Sequence, residues 1–369
     1  MKVLIIGGHL SPAFSLVEEL EKEKNIKIVF VGRKYSTEGQ RTISAEVKIA
    51  KDKNIHFRNI TTGRLQRKFT RHTIPSLLKI PVGLIQSFIV LIQEKPDIIV
   101  SFGSYVSTPV VLIGALLGID IISHEQASVP GLATRINYLF SKKLFLTWEQ
   151  SRKYFKNQAK LEVIGNLVRG PFYKKSYRIK KQLTEFLKKG REDLIFITGG
   201  NQGSHFLNNL IFRNINFFTE HRVVHQIGLA NYGNDHFIAK NIKEANYFQV
   251  QYLQAADYAV CLNESKLVVT RSGANTVWEL ILAKKPSILI PLAISGYGEQ
   301  QENAKICEEA GFGIVIPQAE ATDNKVKSSV ETILKNYNEF ARNAEEFEKT
   351  LPKDANKKLK DYILRYTNS

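Results

Sequence analysis

Short apolar runs alternate with amphipathic stretches along most of the chain. The runs are predominantly apolar, as in strands that are buried on both faces of a sheet. They lie at residues 3–6, 26–31, 98–101 and 119–123. Residues 15–23 and 108–117, which lie between runs, have helical periodicity. Because strands that alternate with helices pair in parallel, the pattern predicts an α/β fold with doubly wound parallel sheets.

The same pattern starts again in the second half of the chain. A second series of apolar runs lies at residues 194–198, 222–227, 267–270, 287–291 and 313–316. Each half opens with a strand that leads into two glycines, Gly7-Gly8 and Gly199-Gly200. We therefore expect two similar domains joined near residues 165–191, with a cleft between them. Ligands of such sheets bind beyond the carboxyl ends of the strands, where these glycines lie.

Composition and charge narrow the class of protein. A hydrophobic content of 43% excludes intrinsic disorder. Two cysteines, Cys261 and Cys307, make no disulfide framework, which indicates a reducing compartment. No signal peptide and no apolar stretch long enough to span a bilayer is expected. The 52 Lys and Arg against 35 Asp and Glu give a net charge of +17, which suits a polyanionic partner or reflects a lysine-rich composition.

Two loops in the first half carry candidate chemistry. Gly7-Gly8-His9 joins a strand to a helix, and a histidine there is a candidate general base because its pKa lies near neutral pH. Ser123, His124, Glu125 and Gln126 follow a buried strand, where four polar residues indicate a site; the alternative is a cluster that caps a helix.

Two loops in the second half have the layout of anion sites. Residues 198–204, TGGNQGS, end a strand and open a helix, which favours a phosphate cradle over a plain turn. Residues 270–276, TRSGANT, repeat that layout, and Glu279 follows about two turns into the helix. A carboxylate there can accept both hydroxyls of a ribose, although a single glutamate on a helix is more often a surface residue. Adjacent amides at Gln300 and Gln301 suit sugar hydroxyls.

A metal site is not expected. His221 and His225 are four residues apart, but residues 222–227 have the pattern of a strand and no third ligand is evident. No Asp-x-Asp pair is present for a metal-bound diphosphate.

A basic segment leads into an apolar one at residues 61–89. Between residues 61 and 80 there are five basic residues and no acidic one. A basic rim beside an apolar surface is typical of proteins that bind anionic bilayers at their surface. The alternative is a core helix whose basic side chains reach solvent.

Eight motifs, taken in chain order, resemble those of one enzyme family. They are GGH-x-x-PA (7–13), FGSYVS (102–107), HEQ-x-x-x-PG (124–131), GN-x-VR (165–169), GG-x-QG (199–203), HQ-x-G (225–228), RSGA-x-T-x-x-EL (271–280) and QQ-x-NA (300–304). Each motif alone is weak, but all eight in register over residues 1–316 are specific. The chain resembles the MurG family, the peptidoglycan N-acetylglucosaminyltransferases that make lipid II.

The resemblance implies a GT-B fold, in which two Rossmann-like doubly wound domains face each other across a cleft. It implies inverting transfer of N-acetylglucosamine from UDP-N-acetylglucosamine to the 4-hydroxyl of the muramoyl sugar of lipid I, with no cofactor and no metal. An acceptor- and membrane-binding domain would span residues 1–166 and a UDP-sugar domain residues 167–351, with a final helix at about 352–369 packed back on the first. The protein would lie at the cytoplasmic face of the bacterial membrane, bound to its anionic surface, and would not bind nucleic acid.

Family roles transfer to the matching donor-side residues. Glu279 would hold the ribose, the Leu253 backbone the uracil, and Arg169 and the Asn201 turn the diphosphate; Gln300 and Gln301 would hold the donor sugar. The donor-binding set is Arg169, Asn201, Gln202, Leu253, Ser272, Gly273, Ala274, Thr276, Glu279, Gln300 and Gln301.

The resemblance also implies acceptor, catalytic and membrane residues. His9 is the candidate base, with Glu125 as the alternative. The acceptor-binding set is Gly7, Gly8, His9, Tyr105, His124 and Gln126. The membrane set is Arg64, Arg67, Lys68, Arg71, Ile74, Leu77, Leu78 and Lys79.

The sequence departs from the family pattern mainly on the acceptor side. The first loop of the family usually reads GGTGGH, and here it is the shorter Gly7-Gly8-His9, which leaves fewer N–H groups for the acceptor diphosphate. Ala127 stands where the family has Asn in HEQN. Asn201 for Ser and Leu167 for Pro are milder changes.

Two alternatives stay open at this point. One is a UDP-sugar enzyme of the same fold that uses another lipid-linked or glycan acceptor, or a 2-epimerase, which would need additional acid and base carboxylates. The other is a basic protein that binds a polyanion without catalysis, although aromatic RNA-binding motifs are missing.

Overall fold

The structure is a computed structural model that describes residues 1–35, 43–63, 73–170, 180–190, 192–292 and 298–367. The chain divides into two compact units. Unit 1 comprises Met1–Arg169 and Pro352–Ser369, and unit 2 comprises Gly170–Leu351. Each unit is an open parallel sheet with helices on its faces.

Unit 1 is built on a parallel sheet that has seven strands within its described residues. The strands are β1 (Lys2–Ile6), β2 (Lys27–Gly32), β3 (His56–Asn59), β4 (Ile98–Ser101), β5 (Asp120–Glu125), β6 (Lys143–Leu146) and β7 (Leu161–Val163). The helices are α1 (Leu10–Leu20), α2 (Ala45–Asp52), α3 (Thr73–Glu94), α4 (Ser107–Leu116) and α5 (Leu132–Phe140). The strand order is β3-β2-β1-β4-β5-β6-β7. It reverses between β1 and β4, so the loops after these two strands border a crevice at the carboxyl edge of the sheet.

Unit 2 has the same plan, with six strands in the part that the structure describes. The strands are β8 (Leu194–Thr198), β9 (Arg222–Gln226), β10 (Tyr247–Val250), β11 (Leu267–Thr270), β12 (Ser287–Leu289) and β13 (Gly313–Val315). The helices are α6 (Lys181–Lys188), α7 (His205–Arg213), α8 (Ile215–Phe218), α9 (Asp235–Asn241), α10 (Ala255–Glu264), α11 (Ala274–Leu282), α12 (Glu299–Glu309), α13 (Asp323–Lys335) and α14 (Tyr337–Thr350). The order is β10-β9-β8-β11-β12-β13, which reverses between β8 and β11.

The last helix, α15 (Ala355–Leu364), belongs to unit 1. Leu359 and Ile363 are fully buried in the core that also contains Phe14 and Phe30, whose rings stack with centroids 4.7 Å apart. Burial of side chains of this size is worth roughly 1.5–3 kcal/mol each. The apolar contacts of α15 therefore tie the end of the chain to the first sheet.

The boundary between the units falls after Arg169 rather than after residue 166. Leu167 and Val168 are both buried, and Leu167 packs in the core of unit 1. The Asn356 side chain accepts a hydrogen bond from the Val168 N–H at 3.0 Å and donates one to the Val168 carbonyl at 2.8 Å. Residues 167–169, which we expected in the second domain, are thus held in the first by packing and by α15.

The predicted strands are confirmed, and four further strands appear. They are β3, β6, β7 and β10. They are three or four residues long, and β3 (HFRN) carries three polar residues. Short strands with this composition lack the continuous apolar run that identifies the buried strands in the sequence. No helix in the described ranges has the length and apolarity needed to cross a membrane.

Glu94 ends α3 and joins three elements of unit 1 through its nearly buried carboxylate. Its Oε1 atom lies 2.7 Å from Arg58 Nε and 2.9 Å from His56 Nε2, and its Oε2 atom lies 3.3 Å from Lys2 Nζ. Burial alone would raise the pKa of Glu94, but these hydrogen bonds outweigh burial and lower the pKa to about 2. The charged form is thus the one that stabilises the fold.

Replacing Glu94 with Gln is expected to lower the free energy of unfolding of unit 1 by about 1–3 kcal/mol at pH 7. The pKa of Glu94 is depressed from 4.5 to about 2 in the folded protein. Its contribution is therefore complete above about pH 4.5 and is lost as the pH falls toward 2. The difference between wild type and variant should shrink between about pH 5 and pH 3.

Tryptophan fluorescence during urea unfolding can test this, because the chain has two tryptophans. Trp148 lies in unit 1 and Trp278 in unit 2, so a Trp278→Phe background reports on unit 1. Glu149→Gln is the control, since that side chain is 73% exposed. A stability difference of the same size at pH 7 and pH 3 would contradict the assignment.

Candidate functional site

The crevice of unit 1 is bordered by the loops that follow β1 and β4. A Cβ atom on Gly8 would stand 2.6 Å from the Gly103 carbonyl oxygen and 2.6 Å from Ser104 Cβ. Gly103 and Ser104 have φ angles of 77° and 74°, which turn the β4 loop back toward the β1 loop. A glycine at position 8 is therefore what allows the β1 loop to approach the β4 loop this closely.

His9 immediately precedes α1, and its backbone is extended. Burial lowers the pKa of His9 to about 4, so the imidazole is neutral at pH 7 and can accept a proton. Burial also lowers the pKa of His124 to about 4; a hydrogen bond to Gly165 opposes this shift and His9 adds to it. The electrostatic effect of His9 on His124 indicates that the structure brings these two predicted residues together.

His124 and Gln126 form a directed pair. His124 Nε2 lies 3.0 Å from the Gly165 carbonyl and donates to it, so Nδ1 is the acceptor for the Gln126 amide at 3.2 Å. The Gln126 side chain is buried, and its Oε1 atom has no hydrogen-bond partner among the described residues. A buried amide oxygen without a partner is costly, and a ligand donor would satisfy it.

Glu125 is placed differently from His124. It is the last residue of β5, and consecutive strand residues point to opposite faces of a sheet. Its carboxylate is buried, and Oε1 accepts a hydrogen bond from the Ala127 N–H at 3.0 Å. Glu125 therefore faces away from His124, and its carboxylate is engaged with the backbone of its own loop.

Tyr105 is positioned by the core and by the loop after β2. Its ring packs against the cluster between the sheet and α4, and its hydroxyl accepts a hydrogen bond from Arg33 Nη1 at 3.4 Å. The Arg33 guanidinium lies 5.6 Å from the centre of the ring. Arg33 thereby brings a positive charge to the end of β2, beside a residue of the predicted acceptor set.

Arg169 is the last residue of unit 1 and follows the segment that Asn356 clamps. Its Nε atom is buried and has no hydrogen-bond partner in the part of the chain that the structure describes. A guanidinium N–H in this position is suited to an anionic ligand.

In unit 2, the loop at residues 199–203 joins β8 to α7. Gly200 and Gly203 have φ angles of 84° and 83°, a conformation that favours glycine. The side chains of Asn201 and Gln202 are exposed, and Ser204 caps α7 by accepting a hydrogen bond from the Leu207 N–H at 3.4 Å. The predicted phosphate cradle is thus a glycine loop at the start of a helix.

A second helix start lies after β11. The residue before α11 is Gly273, which has no side chain to cap the first N–H groups of the helix, those near Ala274 and Thr276. Ser272 is fully buried and donates to the Gln300 carbonyl at 2.7 Å, which joins this loop to α12. The first turn of α11 is therefore another place where backbone N–H groups can bind an anion.

Glu279 lies on α11 and is half-buried. The Tyr258 hydroxyl of α10 is hydrogen-bonded to its carboxylate; burial and this carboxylate raise the pKa of Tyr258 well above 10. The Tyr258 ring is fixed by an edge-on contact with Phe196, with centroids 5.2 Å apart. Tyr258 therefore holds the carboxylate that we expect to bind the ribose.

Three residues predicted to bind the donor each form a hydrogen bond that involves a backbone group; they are Leu253, Gln300 and Gln301. The Leu253 N–H donates to Gln226 Oε1 at 3.0 Å. Gln300 Oε1 accepts from the Leu292 N–H at 2.9 Å, and Gln301 Nε2 donates to the Leu292 carbonyl at 3.2 Å. Both amides thus hold the chain after β12, and their predicted role in binding the donor sugar stays a prediction.

Arg271 belongs to a motif of the sequence analysis but had no predicted role. In the structure, its guanidinium connects the start of α7 with the segment after β12. It is 8% exposed and donates to Ser204 Oγ, to the Ile290 and Pro291 carbonyls and to Gln318 Oε1 at 2.7–3.3 Å. Burial lowers the pKa of Arg271 to about 10, so it is charged at pH 7. All its hydrogen-bond partners among the described residues are neutral, so its charge raises the potential beside the start of α7.

A long apolar face is exposed on α3. Its members are spaced alternately by four and three residues, which places them on one side of the helix. They are Leu78, Val82, Ile85, Ile89 and Ile92, and Leu78 and Ile85 are 70% and 62% exposed. Of the predicted membrane set, Arg64, Arg67, Lys68 and Arg71 lie outside the described residues, as do the side chains of Ile74 and Leu77. Lys79 is half-buried beside Leu78.

Three positioning residues were missed by sequence reasoning. Gln226 and Arg271 lie in the quoted motifs HQ-x-G and RSGA, so a signal existed but no role followed from it. Nothing in the sequence marked Tyr258, because its significance depends on the nearness of Glu279.

Comparison with known families gives two matches that follow the two halves of the chain. Residues 6–146 match the glycosyltransferase family 28 N-terminal domain. Residues 194–359 match the glycosyltransferase family 28 C-terminal domain.

Known proteins of similar sequence and structure agree with these matches. A protein of Borreliella afzelii named UDP-N-acetylglucosamine--N-acetylmuramyl-(pentapeptide) pyrophosphoryl-undecaprenol N-acetylglucosamine transferase is 32% identical over 89% of this chain and 86% of its own. The crystal structure of Acinetobacter baumannii MurG superposes with a TM-score of 0.68 at 21% identity over 99% of both chains. The Neisseria meningitidis UDP-GlcNAc 2-epimerase bound to UDP-GlcNAc gives 0.67 at 16% identity over 99% and 100%. These structures establish the predicted GT-B fold and, at such identities, only the fold.

Proposed function

The chain belongs to glycosyltransferase family 28, and from this premise we propose that it transfers N-acetylglucosamine from UDP-N-acetylglucosamine to lipid I, forming lipid II. The attacking group is the 4-hydroxyl of the muramoyl sugar, and transfer inverts the anomeric centre without a metal ion. The observation that carries the proposal is the 32% identity, over 89% of the chain, to a transferase named for this donor and acceptor.

The donor side of unit 2 supports the choice of a UDP-sugar. Its two reversal-point loops each lead into a helix whose first N–H groups suit phosphate oxygens. Glu279, oriented by Tyr258, accepts the ribose hydroxyls. Because the Leu253 N–H already donates to Gln226, the Leu253 carbonyl is the backbone group that we assign to the uracil N–H.

Departure of UDP is assisted by fixed positive charge. As the glycosidic bond breaks, negative charge grows on the diphosphate while the sugar becomes oxocarbenium-like. The starts of α7 and α11, with Arg271 behind the first, stabilise that charge from fixed positions in unit 2. Arg169 is a further residue that we assign to the diphosphate, because its buried Nε atom has no partner among the described residues. This is the physical basis for transfer without a metal.

His9 is the base that we propose for the acceptor hydroxyl. Its imidazole is neutral at working pH, so it can take the proton as the muramoyl oxygen attacks. We assign Gln126 and Tyr105, which lie in the same unit as His9, to the binding of the acceptor substrate. The Gln126 Oε1 atom has no hydrogen-bond partner among the described residues, so it can accept a hydrogen bond from a sugar hydroxyl.

The exposed face of α3 supports attachment to the membrane that holds a lipid-linked acceptor. A row of apolar side chains on one helix, preceded in sequence by Arg64, Arg67, Lys68 and Arg71, suits the surface of an anionic bilayer. We therefore propose a peripheral location at the cytoplasmic face of the membrane.

A transfer assay tests the function directly. Purified protein with UDP-N-acetylglucosamine and a soluble-tailed lipid I analogue is expected to release UDP and to yield the disaccharide, detected by mass, with the same rate in EDTA. Transfer of the sugar from UDP to another acceptor, with none to lipid I, would support the donor site but contradict lipid I as the acceptor. The departures from the family pattern at Gly7-Gly8-His9 and Ala127 would then be the place to look for the cause. Formation of the 2-epimer from the donor alone would contradict transfer.

His9→Ala is expected to lower kcat by about 10²–10⁴-fold, since a general base contributes about that much, and to change the KM for UDP-N-acetylglucosamine little. Because the pKa of His9 is about 4, wild-type kcat/KM should stay level as the pH falls from about 8 to 5.5. His221→Ala is the control. Full activity of His9→Ala would remove His9 from this role. A wild-type profile that declines with an apparent pKa near 6.5, the ordinary value of an imidazole, would contradict the lowered pKa of His9.

Membrane attachment is tested by Ile85→Ser combined with Ile89→Ser. Loss of two exposed apolar side chains is expected to weaken binding to phosphatidylglycerol-containing vesicles by about tenfold or more, with UDP affinity unchanged. Phe237→Ser is the matched control, because this side chain is 69% exposed but lies in unit 2. Equal vesicle binding by the double variant and the wild type would rule out the α3 face.

A further inference from the structure

Gln226 lies where one side chain can reach two neighbouring loops. It is the last residue of β9, and β9 is paired with β8 on one side and β10 on the other. The loop after β8 is called here the diphosphate loop (residues 199–203), because it contains the predicted diphosphate turn at Asn201. The segment after β10 is called the uracil segment (residues 251–253), because it contains Leu253, whose backbone is predicted to bind the uracil. Gln226 is 1% exposed, so its amide must find its partners within the protein.

The amide of Gln226 bonds to both of these segments. Its Nε2 atom donates to the Gly200 carbonyl and to Thr198 Oγ1, each at 3.1 Å. Its Oε1 atom accepts from the Leu253 N–H at 3.0 Å. Because one end of the amide only donates and the other only accepts, these partners fix its orientation. The side chain therefore sets the distance between the Gly200 and Leu253 backbones.

The residues after Gln226 strengthen the same connection. The Leu229 N–H donates to the Asn201 carbonyl at 3.0 Å, and the Gly228 N–H donates to the Gln251 carbonyl at 3.0 Å. A Cβ atom on Gly228 would stand 2.2 Å from Gly203 Cα, so only glycine permits this approach. The HQ-x-G motif thus contributes a bridging amide and a glycine contact between the same two segments.

We propose that Gln226 is a positioning residue for the nucleotide, which holds the diphosphate loop and the uracil segment at the spacing that UDP requires. It touches no substrate itself and acts through the Gly200 and Leu253 backbones. This inference rests on the proposed function, because it concerns the donor site of a UDP-sugar transferase. Because the Gln226 side chain connects the diphosphate loop with the uracil segment, the binding of the diphosphate and the binding of the uracil depend on each other.

Two substitutions separate the two ends of the bridge. In Gln226→Glu, a carboxylate oxygen can still accept from the Leu253 N–H but cannot donate to the Gly200 carbonyl, so only the diphosphate loop is released. UDP affinity is expected to fall about tenfold and uridine affinity to change less than twofold. In Gln226→Met, both ends are lost, and uridine and UDP affinities should each fall at least about fivefold. Calorimetry measures UDP, and NMR titration measures uridine.

A pH series distinguishes positioning from a loss of fold. As the pH falls, the carboxyl introduced by Gln226→Glu becomes protonated and can again donate to the Gly200 carbonyl, so the UDP deficit should narrow. Asn343→Asp is the matched control, because it likewise removes an amide N–H that donates to a backbone carbonyl, that of Gly311 at 2.9 Å, in the same unit. It should leave both affinities and their pH dependence unchanged.

Each outcome decides between the possibilities. The positioning role of Gln226 is contradicted if both Gln226 variants bind UDP within twofold of the wild type. It is also contradicted if Gln226→Glu lowers the affinities for uridine and for UDP equally at every pH. Glu279→Ala serves as the donor-site reference and should weaken both uridine and UDP. Failure of the wild type to bind UDP, or full UDP affinity in Glu279→Ala, would instead overturn the proposed donor site and the inference with it.

Discussion

Each sheet reverses its strand order once, and this reversal is the constraint on which the arrangement of the loops depends. In unit 1 it falls between β1 and β4, and in unit 2 between β8 and β11. Helices on either side of the reversal lie on opposite faces of the sheet, so the loops at the carboxyl edge diverge and leave a crevice. The tight glycine turns after β1 and β8 and the loops after β4 and β11 all lie at these two points, and so do most of the predicted donor and acceptor residues.

A small number of buried polar side chains fix the loops at those edges. Gln226 spans two loops of unit 2, Arg271 ties the start of α7 to the end of β12, and Asn356 clamps the segment before Arg169. Each is nearly inaccessible to water, so leaving any one of its hydrogen bonds unmade is costly. This cost gives each loop one preferred position, which is the preorganisation that binding of a charged nucleotide and stabilisation of a leaving diphosphate require.

The sequence predicted those residues of the candidate site that residue type and local pattern identify. Gly8, His9 and the glycines at 199–203 were identified from strand–turn–helix patterns, and Glu279 from its place on the helix that follows the second such turn. The roles of Tyr258 and Gln226 were not predictable, because their partners, Glu279, Gly200 and Leu253, are distant in sequence. Glu125 and His124 are neighbours in one motif with different predicted roles, and their successive positions in β5 place them on opposite faces of the sheet.

By itself, the sequence determined the two parallel sheets, the glycine turns at their edges and the family, because apolar periodicity and short motifs are local properties of the chain. The tertiary structure decided that residues 167–169 belong to unit 1, that His9 lies near His124 and is neutral, and that the Leu253 N–H is already engaged. The physical reason is that burial and the partner of a buried polar group are set by segments that meet only when the chain is folded. A pKa shifted by desolvation, or an amide that bridges two loops, therefore has no local signature.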